Sequence, residues 1–528
     1  MKKFDFLVVG SGAAGAASAW RLTQNGYNVA CVERGDWNDP ASYPSNFQDW
    51  EIKKHHFNPV AAKRQHLADY PIDDDNSPIA ICNYNAVGGS TVLFSGHFPR
   101  FQPRDFRLRT MDNVADDWPI SYEDLRPYYE INEYEMSAAG LVGDPFYPDI
   151  KSLLPPVPIG RAGAIVASGF NNLGWHWWPS YSAISTKNVR GRNACLNLGP
   201  CNTGCPQGAK SSTDVTYIPK AIQNGLSLYT NAAVFEIIIE DDRAVGARYH
   251  DVDGRVRELF ADNVILAASA IGSAKILLNS KSTKYPHGLG NEYGLVGRNL
   301  MVHPLGYVEG LFEEKMDTDK GPQGCVLYSL EHYRSPNKSQ KLGYMLHVLR
   351  GSAPVETAVT AFKRRALHFG SQLYVDFFKH YRKKLFLSVI CEDLPEPKNR
   401  VLLDHKKLDR FGVPGVSVHY ELGENTKKLI LDGMKEGRRL LQVSGALRTT
   451  AYGPVRETGW HTLGTTRMGL DEKNSVVNEF GQVHNVKGLF VVDSGCFVTA
   501  SCVNPANTIQ ALSLYLTDKL IERSFHEA

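Results

Sequence analysis

Gly10, Gly12 and Gly15 stand at G-x-G-x-x-G spacing directly behind an apolar run, Phe4 to Val9, and this is a pattern that suits a phosphate. The first glycine allows a tight turn, the second lets a pyrophosphate approach the backbone, and the third lets helix and strand pack closely. Glu33 closes the next apolar run, where a carboxylate accepts hydrogen bonds from an adenosine ribose and repels a 2′-phosphate, which disfavours NADP. Gly88, Gly89, Ser90 and Thr91 put bare backbone and hydroxyls together, suited to a flat ring, a phosphate or a plain turn. Near the C-terminus, His461 sits in a glycine-flanked loop, where it is either a proton acceptor or a satisfied core histidine. Asn504 precedes Pro505 where a helix begins, so capping alone would account for it. Cys195, Cys201 and Cys205 could hold an iron–sulfur cluster, but no nearby fourth Cys or His completes a recognised spacing.

The elements that must position these groups follow from periodicity. Phe4 to Val9 reads as a strand, Ala13 to Leu22 as a helix stopped at Gly26, and the run ending at Glu33 as a second strand, a complete βαβ start. Residues 35–66 lack periodicity and predict a long loop over the cofactor. Ile79 to Cys82 predicts a short buried strand. Ser121-x-x-Asp124 resembles a capping box opening an aromatic-rich helix of a second domain, and Leu153 to Pro158 reads as a boundary linker. The rings of Trp175, His176, Trp177 and Trp178 suit stacking on a sugar or simple core packing. Ala232–Ile239 and Ala244–His250 alternate as a hairpin, and Asn263 to Leu278 reads as strand, small-residue turn and helix. Ala353 to Lys384 predicts a basic helix with a solvated face capping the substrate region, with an anionic membrane surface as the other use of such a pattern. Leu385 to Ile390 and Lys487 to Val492 read as strands, the latter ended by Asp493, and Ile509 to Ile521 as an amphipathic helix.

The chain has 528 residues, enough for two or more domains, with 58 Lys plus Arg against 56 Asp plus Glu. A net charge of +2 gives no reason to expect nucleic acid as partner. No apolar run reaches the roughly eighteen residues of a membrane helix. MKKFDFLVVG enters the first strand without a hydrophobic leader, and nine scattered cysteines fit a reducing compartment, so the expectation is a cytoplasmic protein.

Five separated blocks resemble one family in its order: VVGSGAAGA from Val8, VGGST from Val87, VILAASAIGSAKILL from Val264, HTLGTTRMG from His461, and LFVVDSGCF with VNPANTIQAL from Leu489 to Leu512. They are similar to the glucose-methanol-choline flavin oxidoreductases, nearest the gluconate and fructose dehydrogenase flavoproteins and, more loosely, pyranose oxidases. The resemblance implies an α/β fold: a Rossmann-like FAD-binding domain (1–110, 206–300 and 455–528) interleaved with an α+β substrate domain on an antiparallel sheet (111–205 and 301–454). It implies FAD with Glu33 on the ribose, Gly88 to Ser90 beside flavin and phosphates, Val234 on adenine and Asp493 at the phosphate or ribityl end. Gly10, Gly12, Ala14, Gly15, Gly89 and Thr508 complete the cofactor set it implies, and His461 with Asn504 forms the catalytic pair.

Some positions depart from the pattern. Ser269 replaces a usual glycine, Leu93 stands where pyranose oxidases carry a flavin-bonded histidine, and Leu196 stands where cluster-bearing relatives carry a cysteine. The expectation is therefore non-covalent FAD and no metal. The implied reaction takes an alcohol CH–OH, on a sugar or glycoside, to a carbonyl: neutral His461 takes the hydroxyl proton, Asn504 holds the oxygen, and hydride goes to flavin N5. Oxygen or another acceptor then reoxidises the flavin, and a small subunit or a second copy of the chain is a compatible partner. An aromatic or lignin-type alcohol, or redox-silent lyase chemistry on the same fold, are the alternatives.

Overall fold

A computed structural model of the protein describes residues 3–64, 66–151, 153–334, 341–350, 353–363 and 368–527. The expected βαβ start is present. Strand β1 (Phe4–Val9) runs into helix α1 (Ala13–Gln24), and strand β2 (Val29–Val32) returns parallel to β1 with Phe6 opposite Val29. All four β2 residues and most of β1 are buried, as a parallel sheet covered on both faces requires. The sheet has seven strands. Ser227–Tyr229, β2, β1 and Val256–Leu266 lie side by side in parallel, Leu489–Val491 also pairs with Val256–Leu266, and the hairpin Ala233–Glu240/Arg243–His250 extends the edge in antiparallel pairing.

A second sheet has six antiparallel strands in the order Arg448–Tyr452, Leu305–Leu311, Lys384–Cys391, Tyr344–Arg350, Gly324–Ser329 and Trp178–Pro179. Because side chains alternate along a strand, its two faces do different jobs. Val308, Leu346, Val348, Leu387 and Val389 pack with Leu429, Ile430, Leu440 and Leu441 of the helix Glu424–Val443. Tyr307, His347 and Ser388 lie on the opposite face. A small third sheet joins Ile72–Asp73 to the hairpin Arg400–Leu408/Pro414–His419. No helix among the described residues is long and apolar enough to cross a membrane.

The C-terminal helix, Ala506–Glu527, lies between α1 and the helix Tyr122–Glu135. Ser18 Oγ meets Ser513 Oγ and Thr517 Oγ1, each at 2.8 Å, and Tyr129 Oη meets Thr508 Oγ1 at 2.8 Å. The capping box is real: Ser121 Oγ accepts from the Asp124 N–H and the Asp124 carboxylate accepts from the Ser121 N–H. This helix, expected with the substrate region, shares the core of the nucleotide sheet, since Leu125 and Tyr129 join the cluster that holds Leu7 and Val8.

Other expectations are corrected. Within the stretch expected as one long loop, residues 40–64 hold a string of short helical turns, two of them opened by Pro40 and Pro44, and residue 65 lies outside the described residues. Ile79 to Cys82 is buried but makes only single bridges, to Val60 and Gly459, because no neighbouring strand runs alongside it. The basic stretch forms two helices, Pro354–Lys363 and Ser371–His380; residues 364–367 of that expectation lie outside the described residues.

Arg100 and Glu133 are buried together, with Nε–Oε1 at 2.7 Å and Nη2–Oε2 at 2.6 Å, and tie the 97–104 segment to the Tyr122–Glu135 helix. Removing one partner leaves a buried charge uncompensated. Glu133→Ala should therefore lower unfolding stability by about 3–5 kcal/mol, read by denaturant titration.

Candidate active site

Three backbone segments converge at the carboxyl ends of β1 and Val256–Leu266. Gly10 has φ +101°, and a Cβ there would sit 2.6 Å from the Ala267 carbonyl oxygen. A Cβ on Gly15 would sit 1.9 Å from Gly10 O, and one on Gly89 would sit 2.8 Å from Gly12 Cα. The contact admits only glycine, and it leaves bare backbone facing one cavity. Gly10, Gly12, Ala14, Gly89 and Ser90 line that cavity, and so do Glu33, Val234 and Asp493. Gly15 serves the strand–helix contact instead, and Gly88 backs onto Asp214.

Glu33 is buried against this turn. Its Oε2 accepts from Ser11 N and Oγ at 2.9 and 2.8 Å, and its Oε1 accepts from Gly35 N at 2.9 Å. Burial raises its pKa, against these three hydrogen bonds, which favour the anion. Asp493 accepts from Ser273 Oγ at 2.5 Å and Gly495 N at 2.8 Å, and burial pushes it up to about 6. Ser269 carries φ +70°, the conformation that the usual glycine would adopt without strain; its Oγ is buried, on the cavity wall, with no partner among the described residues. Leu93 is also on the wall. Thr508 is not: its hydroxyl is engaged by Tyr129, and Ile509 takes the wall position.

Three residues at the nucleotide end escaped the sequence reading: Arg34, Tyr70 and Lys275. Arg34 and Lys275 both approach the Tyr70 ring, at 5.1 and 5.2 Å. Burial and then the Arg34 charge lower Lys275 to about 7. A lysine inside the otherwise apolar AIGSAKILL run was the available signal.

The other pole of the cavity holds His461 and Asn504. His303 Nε2 lies 3.0 Å from the Ala500 carbonyl oxygen, which can only accept, so Nε2 carries the hydrogen. His303 Nδ1 is then an acceptor, and His461 Nδ1 at 2.9 Å must donate to it. His461 Nε2 is left as the acceptor, and Asn504 Nδ2 donates to it at 3.3 Å. The network thereby assigns both tautomers and the orientation of the amide. Burial lowers His461 well below the usual range, with His303 and His347 adding to it, and lowers His303 to about 4. Asn504 does not cap the helix. Its Oδ1 is buried without a partner among the described residues, and the first helical N–H bond, from Ile509, goes to Pro505 O at 2.8 Å. A neutral imidazole whose acceptor nitrogen holds only a long bond from an amide can take a hydroxyl proton once the alcohol oxygen enters between the two and is held by the amide.

The tryptophan cluster lies elsewhere. Trp177 and Trp178 donate to Asn171 Oδ1 and Leu141 O, and His176 meets Asp144; none of the four rings lines the cavity that holds Glu33 and Asp493. Cys201 is half-buried, and desolvation pushes its thiol up to about 12. No group of three His, Cys, Asp or Glu among the described residues is arranged to hold a metal ion. Beside these cysteines, Lys210 Nζ donates to Val92 O, Phe94 O and Cys201 O, bracing the cysteine loop to the cavity wall.

Two family models, each described as GMC oxidoreductase, match residues 4–305 and 395–513. The chain is 37% identical to 2-methyl-1,2-propanediol dehydrogenase of Mycolicibacterium austroafricanum, over 98% of this chain and 95% of the relative. It is 25% identical to the fructose dehydrogenase large subunit of Gluconobacter japonicus, over 98% and 97%. The solved structure of pyridoxine 4-oxidase from Mesorbium loti superposes with TM-score 0.67 at 16% identity, covering 98% of this chain and 99% of that one.

Both His303 and His461 have folded-state pKa values below the unfolded value, so the unfolded chain takes up protons that these rings refuse. Stability should fall as pH drops below about 6.5. Histidine-labelled NMR should show His461 neutral, with hydrogen on Nδ1, throughout pH 6–8; a ring that titrates in that window would contradict the network.

Proposed function

The chain belongs to the GMC oxidoreductase family, whose members are FAD enzymes of alcohol oxidation, and we propose that this one oxidises a CH–OH group of a sugar, glycoside or polyol to a carbonyl. The observation that carries the reading is the His461 Nε2 lone pair, fixed by His303 and set beside Asn504 in the cavity that the glycine turn opens. The cavity suits FAD on its own terms: a bare-backbone cradle made by glycines packed main chain to main chain, a buried carboxylate at the ribose end, and the unpartnered Ser269 hydroxyl. Gly10, Gly12, Ala14, Gly89 and Ser90 would hold its phosphates and ring, with Glu33, Val234 and Asp493 along its length. Leu93 offers no nucleophilic atom, so the cofactor is held without a covalent bond.

When bound, FAD supplies the acceptor for the hydride released from the carbinol carbon. His461 Nε2 receives the hydroxyl proton, and because the ring begins neutral it is ready at neutral pH. The Asn504 amide has a second N–H to give the same oxygen, which orients the carbinol and stabilises alkoxide charge as it develops. His303 keeps the His461 Nδ1 hydrogen in place while the ring becomes cationic, so the proton enters on the substrate side alone. The two named relatives point the same way, one being named for a diol and the other for a sugar.

Anaerobic addition of sugars, glycosides and polyols should bleach the bound flavin, and a lyase would leave its spectrum unchanged. His461→Ala should keep FAD and reduce it about 10²–10⁴-fold more slowly. Asn504→Ala should lose less, about 10²-fold. An unchanged reduction rate in His461→Ala, measured by stopped flow on the flavin-replete fraction, rejects the base. Acid denaturation should release free FAD into the supernatant.

A further inference from the structure

The cavity face of the six-stranded sheet carries a polar row that the proton transfer does not use. Tyr307, Ser388 and His347 are direct cross-strand neighbours on three adjacent strands, and all three line the cavity. Directly opposite residues on one face are close enough to act together. His347 Nδ1 meets Ser388 Oγ at 3.2 Å, which leaves Nε2 buried and without a partner among the described residues. The His97 ring packs on His347 with centroids 4.3 Å apart; its Nδ1 meets Ser180 Oγ at 2.7 Å, and its Nε2 is likewise buried and unpartnered. Gln323 Oε1, on the same cavity, repeats the condition.

Several buried, unsatisfied polar atoms on one wall are costly unless something that enters the cavity pairs with them. The chemistry of the wall narrows what that is. Burial disfavours the charged form of both imidazoles; the His347 charge bears on His461, and the His461 charge bears on His97. Arg350, also on this wall, has its Nη groups turned to Asp317 at 3.6 Å and to the carbonyls of Gly321 and Pro158, while its Nε is buried without a partner among the described residues. Neutral groups that both donate and accept match hydroxyls, which do the same, and the Arg350 Nε–H adds a donor; a carboxylate would meet only a guanidinium already paired with Asp317, an ammonium would find no anion in the row, and an aromatic ring would leave the row unpaired.

We propose that the Tyr307–Ser388–His347 row, together with His97, is a hydroxyl-reading subsite: it hydrogen-bonds further hydroxyls of a neutral polyol while His461 and Asn504 engage the reacting one. The inference rests on the alcohol-oxidising reading above and commits it to polyhydroxylated substrates over monohydric and aromatic alcohols. The four residues are specificity determinants, not members of the proton-transfer pair.

The test compares matched alcohols on the flavin-replete enzyme under anaerobic conditions: 1,2-propanediol with 1-propanol, and methyl glucoside with tetrahydropyran-2-methanol. The quantity read is the ratio of second-order flavin-reduction constants within each pair. Wild type should favour the polyhydroxylated member. His347→Leu and Ser388→Ala should each cut that preference about 10-fold, the effect of one lost hydrogen bond, and His347→Gln should restore part of it. The flavin spectrum of each variant checks that the cavity is intact, and Ser388→Ala keeps the test available if the His347 change fails to fold. A preference that survives both His347→Leu and Ser388→Ala overturns the subsite, as does a wild type that reduces with all four alcohols but prefers none. If no alcohol bleaches the wild-type flavin, alcohol oxidation itself falls and the subsite falls with it, an outcome distinct from the other two.

Discussion

Backbone-to-backbone contact at Gly10, Gly12, Gly15 and Gly89 is the constraint on which the rest of the structure depends. No Cβ fits at Gly10, Gly15 or Gly89, with clearances of 2.6, 1.9 and 2.8 Å to the neighbouring main chain. A single side chain there would push α1 off β1 or the 88–90 turn off the 10–12 turn. Because the β1 end, the 88–90 turn and the 267–269 turn meet here, segments far apart in sequence acquire fixed positions around one cavity. Glu33 reinforces the junction from below by holding Ser11 and Gly35 together. The C-terminal helix reinforces it from outside, with Ser513 Oγ donating to Ala14 O at 2.7 Å. That same helix starts two residues after Asn504, so the glycine junction and the proton-transfer pair share one rigid support.

The chemistry at the other pole comes from burial more than from charge. His97, His303, His347 and His461 all sit in surroundings that disfavour the imidazolium, and each ring's neighbours include another ring of the set. Four neutral imidazoles form a hydrogen-bonding surface without net charge, which costs less to bury than ions would. The two sheets divide the labour: the parallel sheet offers backbone to phosphates, and the antiparallel sheet offers side chains at every second residue to whatever sits above it.

Much of this was legible in the chain, and what was missed shares a cause. The βαβ start, the capping box at Ser121, the 233–250 hairpin and the strand before Asp493, shorter than expected at Leu489–Val491, are local patterns, set by residues near one another in sequence. His461 and Asn504 could be picked out but not assigned, since a core histidine and a helix cap have the same local signature. Only the bond to His303, a residue more than a hundred positions away, separates the readings. His347 sits mid-strand in YMLHVLR and reads as core until the register places Ser388 beside it and the cavity above it. Thr508 entered the cofactor set through the resemblance alone; on the helix it stands one residue, about 100° of turn, from the wall residue Ile509, and its hydroxyl meets Tyr129. The tryptophan cluster suggested sugar binding by composition alone, whereas strand pairing and the helix behind it turn those rings away.

The chain of hydrogen bonds from Ala500 through His303 to His461 begins at a peptide carbonyl, and this has a consequence for how the site can change over generations. A carbonyl is present whatever side chain occupies position 500, so no point mutation deletes the group that gives the relay its direction. Mutational risk is concentrated in the one intermediate ring, where the two nitrogens must be both donor and acceptor at a set separation. The loop that supplies the carbonyl also carries Asn504 four residues later. A drift in that loop would therefore shift the orienting amide and the origin of the relay as one piece, preserving their relation while altering where the carbinol must sit. Substrate range could in this way diverge among descendants whose proton chemistry stays fixed.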